Sequence, residues 1–380
     1  MSRLEELVQK LCPNGVPYEK LDVFLDYEQP TKYIVNDTKY DDSFTTPVLT
    51  AGQSFILGYT NEIDGIYKAS KDDPVIIFDD FTTGFHWVDF DFKVKSSAMK
   101  MLRPKVGVNF RFIYYAMRCI RFQPSTHSRH WISIYSQFEI PVPPPEVQRE
   151  IVRILDNFTE LTAELTAELT ARKKQYEYYR DELFANNDKA KWMTLGDLGK
   201  VSMCKRIMKN ETSAQGDIPF FKIGTFGKEA DAYISQETFE KYKEEYSYPQ
   251  KGDILISAAG TIGRTIIFDG EPAYFQDSNI VWVANDESLV LNKFLYYYYQ
   301  LQPWHISSGG TIARLYNDNI AKAKVPVLPI EEQKRIVAIL DRFDTLCNDI
   351  SAGLPAEIEA RQKQYEYYRD KLLTFKELGA

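Results

Sequence analysis

The chain is written twice, and no other feature restricts its possible folds as much. The segment Gln175-Tyr-Glu-Tyr-Tyr-Arg-Asp181 recurs without change at Gln364-Tyr-Glu-Tyr-Tyr-Arg-Asp370. Upstream, Ile140-Pro-Val-Pro-Pro-Pro-Glu-Val-Gln148 matches Val325-Pro-Val-Leu-Pro-Ile-Glu-Glu-Gln333, and Ile151-Val-Arg-Ile-Leu-Asp156 matches Ile336-Val-Ala-Ile-Leu-Asp341. The offset is 185 in these two blocks and 189 at the tyrosine block, so the second copy carries four extra residues. Repeats of this kind decide an architecture before residue-level reading begins. Looser matches precede them: Tyr18-Glu-Lys-Leu21 with Trp192-Met-Thr-Leu195, Thr82-Thr83-Gly84 with Thr261-Ile262-Gly263, and Phe112-Ile-Tyr-Tyr115 with Leu295-Tyr-Tyr-Tyr298. The order is therefore variable, constant, variable, constant, with expected limits 1–140, 141–185, 186–325 and 326–375.

The constant blocks read as helices. Ile151, Ile154, Leu155, Phe158, Leu161 and Leu165 recur every three or four residues, as do Ile336, Ile339, Leu340, Phe343 and Leu346. Prolines before each run suit extended chain leading into a helix, and Glu146, Glu331 and Glu332 suit the positive end of its dipole. A first helix from about Pro145 to Phe184 would be roughly 60 Å long. Its apolar stripe needs a partner, and the second copy is the obvious one. The stretch Leu161-Thr-Ala-Glu-Leu-Thr-Ala-Glu-Leu169 has period four, so its leucine row drifts by about 40° per repeat. It reads as helix surface or as an adjustable spacer. Gly353 and Pro355 should break or kink the second helix. The variable blocks mix strand-like runs (Val75 to Phe78, Ile254 to Ser257) with helical ones (Asn109 to Ile120, Asn292 to Leu301), which makes them α+β.

As a set these features resemble the specificity subunits of type I restriction–modification enzymes, over nearly the whole chain. The resemblance rests on the block order, the two proline-rich lead-ins, the two tyrosine blocks and the run Gly252-Asp-Ile-Leu-Ile-Ser with Gly260-Thr-Ile-Gly263. It implies an α+β fold: two pseudo-twofold-related target-recognition domains separated by two long antiparallel coiled-coil helices. It implies a non-catalytic subunit that binds double-stranded DNA at a bipartite, asymmetric site. It also implies docking of two methylation subunits and, through the complex, of restriction subunits. Self-association through the helices stays open for the isolated chain.

Charge fits this only when resolved along the chain. With 46 Lys and Arg against 54 Asp and Glu the net charge is −8, which argues against a basic nucleic-acid binder taken whole. Residues 92–138 nevertheless hold nine cations and no acid, leaving −17 elsewhere. There Arg111, Arg118 and Arg121 read as helix surface, and Lys100, Arg103 and Lys105 as phosphate contacts. In the loop Ser125-Thr-His-Ser-Arg-His130, we single out Ser128, Arg129 and His130, with Arg129 suited to guanine. Thr82, Thr83 and His86 complete the first block's candidates. The second block offers Thr261 and Arg264 around Gly263, and Ser308, Gly309, Thr311 and Arg314 in a glycine loop. Its four consecutive tyrosines, 296–299, read as core plus surface rather than a stacking platform. Tyr176, Tyr179, Tyr365 and Tyr368 would seal the helix pair, while Tyr178, Arg180, Tyr367 and Arg369 would face a protein partner.

The sequence carries no phosphate-loop, amino-methylation, methyl-donor or nucleophile-elbow motif, so neither a catalytic residue nor a cofactor is expected. Cys119, His127 and His130 make a weak metal set, and no metal is expected. The rival classes are a DNA methyltransferase or nuclease with its own activity, and a coiled-coil adaptor that does not bind DNA. Four scattered cysteines, a charged amino terminus and the absence of a run of about 18 apolar residues lead us to expect a cytoplasmic protein without a membrane span.

Overall fold

The computed structural model describes residues 2–52, 54–185, 190–306 and 313–379. They form two compact units, Met1–Leu165 with Ile358–Ala380, and Thr166–Glu357. Each unit holds one variable block, the start of the constant helix that follows it, and the end of the constant helix from the other copy.

The two variable blocks share one topology. In the first unit a four-stranded antiparallel sheet runs in the order Leu25–Glu28, Met99–Pro104, Val75–Asp79, Phe85–Val88. In the second unit the order is Gly199–Ser202, Ile280–Asn285, Ile254–Ser257, Thr265–Ile267. A three-stranded sheet accompanies each: Thr46–Leu49 lies antiparallel to Ile56–Thr60 and parallel to Lys93–Val94, and Ile218–Phe221 lies likewise between Tyr233–Ile234 and Tyr274–Phe275. A short pair closes the base of each block, Tyr18–Lys20 with Glu139–Pro141 and Lys191–Thr194 with Lys324–Val327. The central strands Val75–Asp79 and Ile254–Ser257 are buried almost throughout, as continuous apolar runs should be.

A helix follows the sheets in each block, Phe110–Met117 and Asn292–Tyr299. The first starts where the Asn109 side chain accepts the Phe112 N–H. Tyr297, Tyr298 and Tyr299 on the second are buried, so the tyrosine run is largely core, as its spacing suggests.

The first constant helix is unbroken from Pro145 to Ala185. The second is two helices, Ile330–Asn348 and Leu354–Leu372, interrupted where Gly353 and Pro355 stand. Asp349 holds the turn by accepting the N–H of Ser351 and Ala352 and the Ser351 hydroxyl. A Cβ on Gly353 would lie 2.4 Å from the Thr345 carbonyl oxygen, so only glycine lets the backbone pass this closely.

The constant helices attach to their own blocks by one device used twice. Asp156 accepts the Tyr115 hydroxyl at 2.5 Å and the Arg111 Nε at 2.7 Å. Asp341 accepts the Tyr297 hydroxyl and pairs with Lys293 at 3.1 Å. Burial, reinforced by the carboxylate, raises both phenol pKa values, so each tyrosine stays a donor. Against these helix starts lies the tyrosine block of the other copy. Phe158 stacks on Tyr368 with ring centres 5.4 Å apart, and Phe343 meets Tyr179 at 5.9 Å and Tyr176 at 6.3 Å.

Gly353→Ala should therefore open the inter-helix turn and cost about 1–3 kcal/mol. A urea unfolding curve would show a lower midpoint, and an unchanged midpoint would mean that the turn tolerates a side chain.

Candidate nucleic-acid interface

In the first unit a turn at residues 79–84 and a loop at residues 125–131 close over one buried carboxylate. Asp79 caps the turn by accepting the N–H of Phe81 and Thr82, both at 2.8 Å. Asp80 accepts the N–H of His130 and Trp131 through Oδ1, at 3.1 and 2.8 Å. Its other oxygen lies 3.3 Å from Lys100 Nζ and 3.9 Å from Arg129 Nη1. His127 stacks on Phe81 with ring centres 4.6 Å apart. The outer rim of this arrangement carries Thr82, Ser128 and Arg129, all exposed.

Hydrogen bonds align the second unit with the first residue by residue. The N–H of Asp80 donates to the Ala98 carbonyl and that of Ala258 to Asn279. The carbonyl of Asp80 accepts the His130 N–H and that of Ala258 accepts Leu315, so Arg129 and Arg314 hold equivalent positions. Arg314 Nη2 donates to the Ser278 carbonyl at 2.7 Å. Ala258 and Val281 replace the buried Asp80 and Lys100. The turns differ in length. Asp79 N–H reaches the Gly84 carbonyl, but Ser257 N–H reaches Arg264, so the turn at 257–264 is two residues longer. The match of Thr82-Thr83-Gly84 to Thr261-Ile262-Gly263 therefore does not hold in the sheet register.

Several expected contacts are corrected by this geometry. Lys100 is only 1% exposed and lies between Asp80 and the Tyr27 ring, so it neutralises the core rather than a phosphate. His130 is buried with Nε2 against the Thr126 carbonyl, and it shapes the loop. Thr83 is buried at φ 59°, and its hydroxyl donates to the Thr82 carbonyl. His86 packs on Phe55 beside the Gly52 carbonyl, and burial lowers its pKa, which favours the uncharged ring. Gly263 has φ +80°, but its open side faces Trp304 and Gln302, so it serves the turn. Thr261 and Arg264 remain exposed, with Arg264 donating to the Gly227 carbonyl at 3.3 Å. Ser308, Gly309 and Thr311 lie outside the described residues.

The basic window is also less basic than it reads. Among the described residues, seven of its nine cations pair with carboxylates from other parts of the chain. Lys93 is buried against Glu62, Arg103 meets Asp73 at 2.8 Å, and Lys105 donates to the Asp22 carbonyl and lies 3.9 Å from Asp26. Arg111 belongs to the Asp156 anchor, not to a free helix surface. Arg103 and Lys105 stay partly exposed, but an added phosphate would compete with an existing carboxylate. Arg129 is the exception in kind: it is 51% exposed and Asp80 is shared with three other donors.

Sequence reading missed a second group of cations. The exposed residues Lys205, Arg206 and Lys209 lie in a loop after Gly199–Ser202, which the structure places beside Asp277 and Ser278. The only signal was their local spacing, because Asp277, which Arg206 meets, is 71 positions away. Among the expected docking residues, Tyr178 and Tyr367 are 59% and 61% exposed. Arg180 and Arg369 are not: each pairs with the following aspartate and packs over Tyr176 or Tyr365. Their guanidinium groups lie over these rings and face the chain itself rather than a partner. Among the described residues no helix is long and apolar enough to cross a membrane, and no His, Cys, Asp and Glu group is arranged to hold a metal.

Comparison with known proteins matches the chain twice to the type I restriction modification DNA specificity domain, over residues 20–172 and 187–360. A Haemophilus influenzae chain named "Putative type I restriction enzyme specificity subunit" is 50% identical over 335 residues, covering 85% of this chain and 86% of that relative. A type I restriction enzyme specificity subunit of Escherichia coli is 42% identical over 400 residues, covering 99% and 97%. The solved S subunit of a type I restriction–modification system from M. genitalium has a similar fold, with TM-score 0.56 at 15% identity over 95% of this chain and 97% of that one.

The buried pair generates a direct check. Lys100→Met would leave the Asp80 carboxylate without its buried cation and should cost about 3–5 kcal/mol, whereas the double change with Asp80→Asn should recover part of that. Thermal unfolding of the two variants would separate them, and equal midpoints would deny the pair its structural role.

Proposed function

The chain belongs to the family of type I restriction–modification DNA specificity subunits, and on that premise we propose that each repeated domain reads one half of a split duplex site. The observation that carries this reading is the equivalence of Arg129 and Arg314. Around them the loops differ in sequence and the neighbouring turns differ in length, yet both arginines precede the residue that hydrogen-bonds the same strand end. Arginine suits guanine O6 and N7 in the major groove. Thr82 and Ser128 beside Arg129, and Thr261 and Arg264 in the second unit, supply further polar contacts. Ser308, Gly309 and Thr311 belong to the same proposal on sequence grounds. Because the rims differ, the two half-sites differ, which makes the site asymmetric.

The subunit lends recognition and borrows chemistry. Two methylation subunits dock on the equivalent exposed tyrosines Tyr178 and Tyr367, and restriction subunits join through them. Exposure of both tyrosines at matching positions supports this reading. The Thr-Ala-Glu-Leu units lie within the unbroken helix Pro145–Ala185 and act as the spacer between half-sites.

Mapping methylated adenines in cells with and without the chain tests the reading by yielding both half-sites. Arg314→Ala should weaken binding by about 1–3 kcal/mol and relax one half-site only. Retained specificity in both halves would remove Arg314 from the reading. Deleting residues 162–165 shortens the helix by about 6 Å and should change the spacer by one or two base pairs at about 3.4 Å each. An unchanged spacer would sink the ruler, and methylation or cleavage by the chain alone would sink the non-catalytic assignment.

A further inference from the structure

We infer that the loop at residues 203–209 is the phosphate anchor of the second recognition domain, with Lys205 and Lys209 as its contacts and Arg206 as the group that fixes it beside Arg314. The inference rests on the reading of the chain as a duplex-binding subunit and adds to it the site that holds the backbone.

The geometry brings two arginines onto two consecutive residues. Arg206 Nε donates to Asp277 Oδ2 at 2.9 Å, and Arg314 Nη2 donates to the Ser278 carbonyl at 2.7 Å. Ser278 has φ 58°, in the left-handed region, and its hydroxyl lies 3.6 Å from the Met203 sulfur. The loop is thus tied to the residue that orients Arg314. A cleft of about 440 Å³ opens there, with Met203, Ser278, Arg314, Tyr316, Asn317 and Asp318 in its lining.

Charge decides what the loop can accept. Lys205 and Lys209 are exposed, and neither meets a carboxylate among the described residues. Lys205 lies 4.9 Å from the Tyr246 ring centre, which leaves its charge uncancelled. The nearest acid in sequence, Glu211, accepts the Met208 N–H and the Tyr242 hydroxyl, keeps its charge, and pairs with neither lysine among the described residues. Asp277 is committed to Arg206, while Arg314 and Asp318 both line the cleft. Two exposed lysines without an ion pair among the described residues, on a loop tied to the residue that holds Arg314, fit phosphates flanking a base edge. Capture of an acidic protein surface by the lysines instead is an outcome of the test that overturns the inference.

The same loop in the first unit does not repeat the arrangement. After the counterpart strand Leu25–Glu28 the first unit turns at once into the short helix Thr31–Tyr33, and Lys32 within it pairs with Glu28 at 2.8 Å. The two domains therefore grip the duplex differently, and the anchor belongs to the second half-site.

The test uses the chain assembled with its methylation subunits. Duplex binding is measured across a range of salt concentrations, once on DNA carrying the mapped site and once on DNA of mixed sequence. Each lost phosphate contact should lower the slope of log K against log salt by about 0.9, so Lys205→Ala with Lys209→Ala should lower it by about 2 on both duplexes. The double Lys→Arg variant should keep the original slope. Preference for the mapped site over mixed DNA should survive, because phosphate contacts carry no sequence information. An unchanged slope in the double alanine variant overturns the inference, as does a slope loss confined to the mapped site. If the double alanine variant keeps its slope but no longer recruits the methylation subunits, the loop faces protein and the inference again fails. Absence of any site preference in the wild-type assembly would instead overturn the half-site reading, while the slope on mixed DNA would still judge the anchor.

Discussion

A long helix with an apolar stripe must be covered, and in this chain the cover comes from the other copy. Phe158 and Tyr368 share one unit, and Phe343 shares the other with Tyr176 and Tyr179. Neither variable block is complete with its own helix alone. The first core includes Tyr365, Leu372 and Leu373 from the far end of the chain, and the second includes Tyr176, Leu183 and Phe184 from the first helix. This exchange explains why the tyrosine block recurs unchanged: each copy meets the same kind of surface, an aromatic helix anchored by Asp156 or Asp341. A hydrogen bond to a charged group contributes roughly 1.5–3 kcal/mol, and here one aspartate ties a tyrosine and a cation of the block to the helix.

The architecture was legible because its determinants are periodic or local. Ile151, Ile154, Leu155 and Phe158 announce a helix face, and Gly353 with Pro355 announces a break. The shared topology of the two blocks was visible only as isolated matches, yet the sheet orders agree strand for strand. One of those matches misled. Thr82-Thr83-Gly84 and Thr261-Ile262-Gly263 look alike as letters, but the turns that contain them differ by two residues. A turn's length is set by which carbonyl closes it, and no pattern of side chains states that directly.

The candidate site was less legible, because the partner of a charge is a tertiary property. Residues 92–138 lack acids in sequence, but the fold brings Glu62, Asp73, Asp80, Asp156 and Asp370 to their cations. Asp370 is 249 residues from Arg121. Exposed pairs of this kind add little stability, about 0–1 kcal/mol, but each reduces the free charge offered to a phosphate. Lys205 and Lys209 differ, because Glu211 is close in sequence yet its carboxylate accepts the Met208 N–H and the Tyr242 hydroxyl and pairs with neither lysine among the described residues.

The two equivalent arginines occupy one position on different supports. Arg129 leans on a carboxylate 3.9 Å away that already serves Lys100 and two backbone N–H groups. Arg314 donates to a neutral carbonyl at 2.7 Å, and Ala258 and Val281 replace the ionic core beneath it. The first arginine is thus placed by shared charge and the second by a directional bond. With one Nη occupied, Arg314 keeps fewer donors free but a more fixed orientation, whereas Arg129 keeps its full fork and a looser one. Their positions repeat and their supports do not, so similar domains need not read the same bases.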